Sequence, residues 1–187
     1  ILLEQEVRNL SITAMTGSLG LDMTSNFVVK KAETTFNSGI TPCVSPVSLT
    51  NGNVLIAYED GDDSDNGNFV IYDSAGNLIK SETTFNTGYT GRSKVARGIS
   101  ASALTNGNVL IAYRDDDDNG KFVIYDSAGN LIKSETTFNG AMTTHTSATS
   151  LLNGNVLIAY LDGAGTVYGR FIIYDSVGNL VRSETTF

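Results

Sequence analysis

The eight-residue phrase NGNVLIAY occurs three times, at Asn51–Tyr58, Asn106–Tyr113 and Asn153–Tyr160. Each copy is followed by a second phrase, IYDSAGN from Ile71 and Ile124 and IYDSVGN from Ile173. Each unit then closes on SETTF, at Ser81, Ser134 and Ser183, with a variant AETTF at Ala32. The closing phrases start at 32, 81, 134 and 183, so the steps are 49, 53 and 49 residues. Self-similarity at such a period marks an array of one supersecondary unit, whose apolar face is buried only by stacking on its neighbours.

The grammar of one unit reads as four antiparallel strands. Val47 to Leu49 is a short strand of small and medium side chains. Asn51-Gly52 is a strong hairpin signal, expected as a type I′ turn with both residues at positive φ. Val54 to Tyr58 is continuously apolar, as a strand covered on both faces should be. A polar loop, Glu59 to Asn68, leads to a second such strand, Phe69 to Tyr72. Asp73 to Asn77 forms another turn, with Gly76 suited to the left-handed position of a bulge. The last strand, Leu78 to Phe85, mixes polar and apolar residues as an outer strand would. The innermost strand of the next two units stays small, at Ser102 to Leu104 and Thr149 to Leu151, which suits the crowded axis of a ring.

On these phrases the units resemble the blades of bacterial or phage-type repeat β-propellers, in the broad company of kelch and lectin propellers. The resemblance covers Asn37 to Phe187 well and residues 1–36 weakly, and it lacks both the WD dipeptide and the kelch double glycine. It implies an all-β fold, a β-propeller of four-stranded antiparallel blades with three complete repeats and one degenerate N-terminal repeat. The expected divisions are 1–36 (degenerate blade or cap), 37–85, 86–138 and 139–187. A ring of this kind has at least four blades. The array is therefore expected to close with its worn unit, to belong to a larger ring, or to pair with another copy as a homo-oligomer.

The 187 residues carry a net charge of −8 and a pI near 4.5, with no basic cluster beyond Lys30-Lys31. Nucleic acid is excluded as a partner on that balance. Membrane insertion is excluded because no apolar run approaches the roughly 18 residues a spanning helix needs. One cysteine, Cys43, allows no internal disulfide or multi-cysteine metal site. It reads as an inert small side chain. The chain begins at Ile1 without Met and reads as a processed or excised piece.

The repeats vary most in two places. The loops between the second and third strands read EDGDDSDNGN, RDDDDNGK and LDGAGTVYGR. The linkers between units read NSGITPCVSP, NTGYTGRSKVARGIS and NGAMTTHTSAT. In a meander these lie at one end of the strands and the constant turns at the other, so a binding face is expected at the variable end. Tyr89, Arg92, Lys94, Arg97, His145 and Tyr168 are its candidate ligand-binding residues. Asp115, Asp117 and Asn119, before Gly120, have the alternate-oxygen spacing that opens an EF-hand-like calcium loop; Asp62, Ser64 and Asn66, before Gly67, repeat it with a weaker middle ligand. Calcium is therefore the candidate cofactor, although neither loop carries the distal bidentate Glu. Tyr58, Tyr113 and Tyr160 read as structural.

No Ser/His/Asp order, phosphate loop or zinc spacing appears, and the acidic residues follow the repeats. The expectation from sequence is thus a non-enzymatic, extracellular or virion-surface binding and adhesion propeller that recognises a glycan or surface protein, of the adhesin or tail-fibre kind. A structural building block of a fibre, tail or surface assembly is the first alternative. A glycoside hydrolase on a propeller scaffold is the second, and it needs two carboxylates facing one another across a pocket.

Overall fold

The apolar phrases become the middle strands of three sheets in the computed structural model, which describes residues 33–90, 98–163 and 167–187. The chain divides into two units, Ile1–Thr34 and Thr35–Phe187; the second holds the sheets. The degenerate first repeat expected at 1–36 falls outside the described residues except for 33–36. No helix occurs among the described residues, so none is long and apolar enough to cross a membrane.

The first sheet comprises β1 (Val44–Ser48), β2 (Val54–Asp60), β3 (Asn66–Tyr72) and β4 (Leu78–Asn86). The second comprises β5 (Ile99–Ala103), β6 (Val109–Arg114), β7 (Gly120–Tyr125) and β8 (Leu131–Asn139). The third comprises β9 (Thr143–Ser150), β10 (Val156–Asp162), β11 (Tyr168–Tyr174) and β12 (Leu180–Thr186). Each is an antiparallel meander with its strands in chain order. The fold is all-β, in three four-stranded antiparallel sheets.

The continuous apolar run in β2, β6 and β10 reflects cover on both faces, to differing extents. Side chains alternate between faces along a strand. β6 is buried on both, whereas one face of β2 (Val54, Ile56) and of β10 (Leu157, Ala159, Leu161) is half-buried, so the sequence expectation of two covered faces holds in full only for the second sheet. Leu55, Ala57, Phe69 and Ile71 of the first sheet form one core with Val109, Ile111, Tyr113, Val123 and Tyr125 of the second. The other face of the second sheet, with Leu110, Ala112, Phe122 and Ile124, packs on Val156, Ile158, Tyr160, Ile172 and Tyr174 of the third. Full burial of each Val, Leu, Ile or Phe side chain among them stabilises by about 1.5–3 kcal/mol.

The same contacts recur at each step. Phe36 meets Tyr58, Phe85 meets Tyr113 and Phe138 meets Tyr160, with ring centroids 5.2, 5.1 and 5.0 Å apart. Phe69 meets Tyr125 at 4.7 Å and Phe122 meets Tyr174 at 4.6 Å. Between the first strands of successive sheets, the Ala101 N–H donates to Ser45 Oγ and the Ala148 N–H to Ser100 Oγ, both at 2.9 Å. Small residues in these strands, Ser45, Ser100, Ala101 and Ala148, make this approach.

Two local expectations are corrected. The Asn-Gly turns have positive φ only at the glycine, 87° at Gly52, 90° at Gly107 and 89° at Gly154. Gly52 N–H donates to Leu49 O and Leu49 N–H to Asn53 O, a type I turn closed by a left-handed glycine bulge rather than a type I′ turn. Asn51 needs no left-handed backbone because its Oδ1 accepts the Asn53 N–H at 3.0 Å. The polar loop Glu59–Asn68 is also shorter than expected. The β2–β3 ladder continues through Glu59↔Gly67 and Asp60↔Asn66, leaving 61–65 as the loop, with Ser64 and Asp65 at φ 56°.

Candidate functional site at the loop-bearing end

In each meander the β2–β3 type loop and the linker to the next sheet lie at the same end, opposite the two constant turns. They are tied together. The Thr90 N–H donates to Asp65 O and the Thr143 N–H to Asp118 O, both at 2.9 Å. The Gly88 N–H donates to Asn66 Oδ1 at 2.7 Å, and the Ile40 N–H to Asp62 Oδ2 at 3.2 Å. Asn139 Nδ2 donates to Thr143 Oγ1 at 2.9 Å and to Asp162 Oδ1 at 3.1 Å, in a buried position.

The expected metal ligands are placed as follows. Asp62 and Ser64 are exposed, and Asn66 holds Gly88 and donates to Asp63 Oδ2 at 3.1 Å. Asp115 accepts the Asn119 backbone N–H at 2.7 Å and its side-chain amide at 3.2 Å. Asp117 is exposed. Gly67 and Gly120 lie in strands, paired with Asn86 and Asn139. Among the described residues no group of three or more His, Cys, Asp or Glu is placed to hold a metal ion.

Of the ligand-binding candidates, Arg92, Lys94 and Arg97 lie outside the described residues. Tyr89 and Tyr168 are exposed, and the Arg170 guanidinium stands 5.9 Å from the Tyr168 ring centroid. His145 belongs to β9, not to a linker. It takes φ 52° where β9 carries an extra residue against β10, and its side chain is exposed. Asn66 and Tyr89 are neighbours through Gly88, whereas His145 and Tyr168 belong to the third sheet.

Two sets of residues were missed by motif reading. The first repeats in every unit: Tyr58, Tyr113 and Tyr160 hydroxyls donate to Glu82, Glu135 and Glu184. Burial and then this carboxylate push the Tyr58 and Tyr113 phenols far above their usual range; burial, and then the charge of Asp162, push Tyr160 up to about 12. Lys121 Nζ lies 2.7 Å from Glu135 Oε1 and 3.5 Å from Asp115 Oδ2. Its ammonium is held above the ordinary lysine pKa chiefly by the hydrogen bond to Glu135.

The second is Glu59, which is 5% exposed. Burial lifts its carboxyl to about 7, against a partial offset from the Cys43 thiol that donates to it and with Asp65 adding to the rise. Burial also raises the Cys43 pKa, which makes it a poor nucleophile. Glu59 was findable. The residue after the constant tyrosine is Glu59, Arg114 and Leu161 in the three units, so it changes charge where everything before it is identical.

No protein-family model matches the chain, and no curated protein does. Among solved structures the chain is similar to a PL25 polysaccharide lyase, an ulvan lyase bound to -[GlcA(1-4)Rha3S]-. The identity is 14% and the TM-score 0.52, over 76% of this chain and 39% of that one. It is similar to a Dyadobacter fermentans protein of unknown function, at 16% identity and a TM-score of 0.53, over 76% and 40%. A eukaryotic initiation factor is similar at 14% identity and a TM-score of 0.51, over 88% and 36%. The chain thus spans about two fifths of the length of these structures or less. The likeness lies in the fold, which in the lyase is of propeller type.

This overturns the expectation of a non-catalytic adhesion propeller and the accompanying expectation that the chain is not an enzyme. A fold of this kind carries a polysaccharide lyase, so repeated blades are no argument against catalysis. The physical reason for the error is that acidic residues shared by all units dominate a motif search. A singular group such as Glu59 arises instead where one unit departs from the others.

Proposed function

We propose that the three sheets are blades of a propeller that processes a polysaccharide, with the loop-bearing end meeting the polymer. The likeness of fold to the PL25 lyase carries this reading. Glu59 supports it, because cleavage by hydrolysis or elimination needs a group that exchanges a proton near neutral pH. A carboxyl at about 7 in the strand that leads into the variable loop is such a group. The recurring Phe–Tyr and Ser–Ala contacts between sheets support the propeller itself, since the same set of contacts joins each sheet to the next. A polymeric glycan is met outside the cell, and the reading places the protein there.

The test is incubation of the protein with a panel of uronate-containing and neutral polysaccharides, following unsaturated products by ultraviolet absorbance and new reducing ends by a colorimetric assay. Turnover of one polymer, reduced about a hundredfold in Glu59→Gln, is the expected result. Absence of product from the whole panel would sink the proposal.

A further inference from the structure

We propose that the first sheet binds a hard metal cation of the calcium class between Asp60 and Glu82, at a place where the other two sheets carry a cation of their own. In the second sheet Lys121 stands opposite Tyr113 and its ammonium bridges Asp115 and Glu135. In the third, Arg170 stands opposite Tyr160; its Nε lies 2.9 Å from Asp162 Oδ2 and its guanidinium also pairs with Glu184. In the first sheet the same positions are Asp60, Glu82 and, opposite Tyr58, Asn68. The carboxylate pair is retained, and the Tyr58 hydroxyl still donates to Glu82. The cation is not: among the described residues no Lys or Arg pairs with Asp60 or Glu82.

Asn68 is the independent sign that something belongs there. It is fully buried, and both its Oδ1 and its Nδ2 lack a partner. Directly opposed residues of an antiparallel pair project from the same face, so this amide points to the face on which Tyr58 meets Glu82. A buried amide oxygen without a partner and a carboxylate pair without a counter-charge are both costly, and one bound cation relieves both. Two carboxylates, an amide carbonyl and a phenol oxygen are hard donors with no thiolate or imidazole among them, which selects calcium-like ions over zinc or copper. Asn68 is also shorter than the Lys121 and Arg170 that stand at the equivalent positions. This site is distinct from the acidic loop Asp115–Asn119 and does not depend on the polysaccharide reading.

The test is terbium luminescence, sensitised through tyrosine, on metal-free protein with calcium as competitor, accompanied by thermal denaturation with and without calcium. The wild type and the loop variant Asp117→Asn are expected to bind and to be stabilised by calcium. Asn68→Lys installs the ammonium that Lys121 supplies in the second sheet. It is expected to weaken binding about tenfold or more and to melt at one temperature with or without calcium. Glu82→Gln, on the exposed outer strand, is expected to lose binding by a similar factor with the fold intact. Absence of binding by the wild type, binding retained in Asn68→Lys, or binding lost only in Asp117→Asn would each overturn the proposal. So would stabilisation by methylammonium or guanidinium where calcium gives none, since the occupant would then be an organic cation.

Discussion

The ring of Phe85 fills the place where Gly67 would carry a side chain: a Cβ on Gly67 would lie 2.5 Å from Phe85 Cε2. Phe138 stands in the same way over Gly120, and Phe187 over Gly169, where the nearest ring carbon would be 2.9 Å away. The glycine that closes the calcium-loop spacing at Gly67 and Gly120 is therefore explained by packing of the last phenylalanine of each repeat. Gly120→Ala must displace a buried ring, and it is expected to lower stability by about 1–3 kcal/mol. Chemical denaturation in calcium and in EDTA should give the same loss; a loss seen only in calcium would restore the glycine to a metal loop.

Phe138 is 7% exposed and packs on Tyr160, whereas the equivalent Phe187 is 77% exposed. Phe138→Ala is expected to cost about 3–5 kcal/mol through lost burial and the cavity left behind. Phe187→Ala should cost under about 1 kcal/mol. Paired denaturant titrations check the contrast, and equal losses would show that Phe187 is covered in solution.

Ser100 Oγ accepts the backbone N–H of Ala148 from the next sheet. Ser100→Ala leaves that N–H without its acceptor at a crowded contact, at a cost of about 1–3 kcal/mol. Hydrogen exchange should show faster exchange at Ala148 than at amides within the β10–β11 ladder. Unchanged exchange there would mean that the contact between sheets is not held by this bond.

Glu59 gives stability a defined pH dependence. Its folded-state pKa of about 7 lies above the ordinary carboxylate value, so between these values the folded chain binds more protons than the unfolded one. Its contribution is fully present below the unfolded pKa and is lost as pH rises through about 7. Glu59→Gln should remove this loss and stabilise the protein by about 1–3 kcal/mol at pH 8, with little change at pH 4. Thermal melts across that range test it; a wild-type midpoint that rises from pH 5 to 8 through this residue would contradict the shift.

The sequence by itself determined the sheets. VLIAY, FVIY and their copies could only be strands, and the glycines after Asn51 and Ala75 could only be turns, because these signals are carried by residues a few positions apart. That both faces are covered holds for VLIAY of the second sheet alone. The tertiary structure decided what those residues do. It set the bulged turn at Gly52, the steric role of Gly67, the place of His145 within β9, the buried carboxyl of Glu59 and the unpartnered amide of Asn68. Each depends on a partner distant in sequence or in a neighbouring sheet: Phe85 for Gly67, Tyr58 and Glu82 for Asn68, Ser45 for Ala101. A repeat announces what its units share, and those shared residues build the scaffold. The groups with distinct chemistry stand where one unit differs from the next. The meaning of such a difference emerges only when packing shows which charge, ring or hydrogen bond the substituted residue would have met.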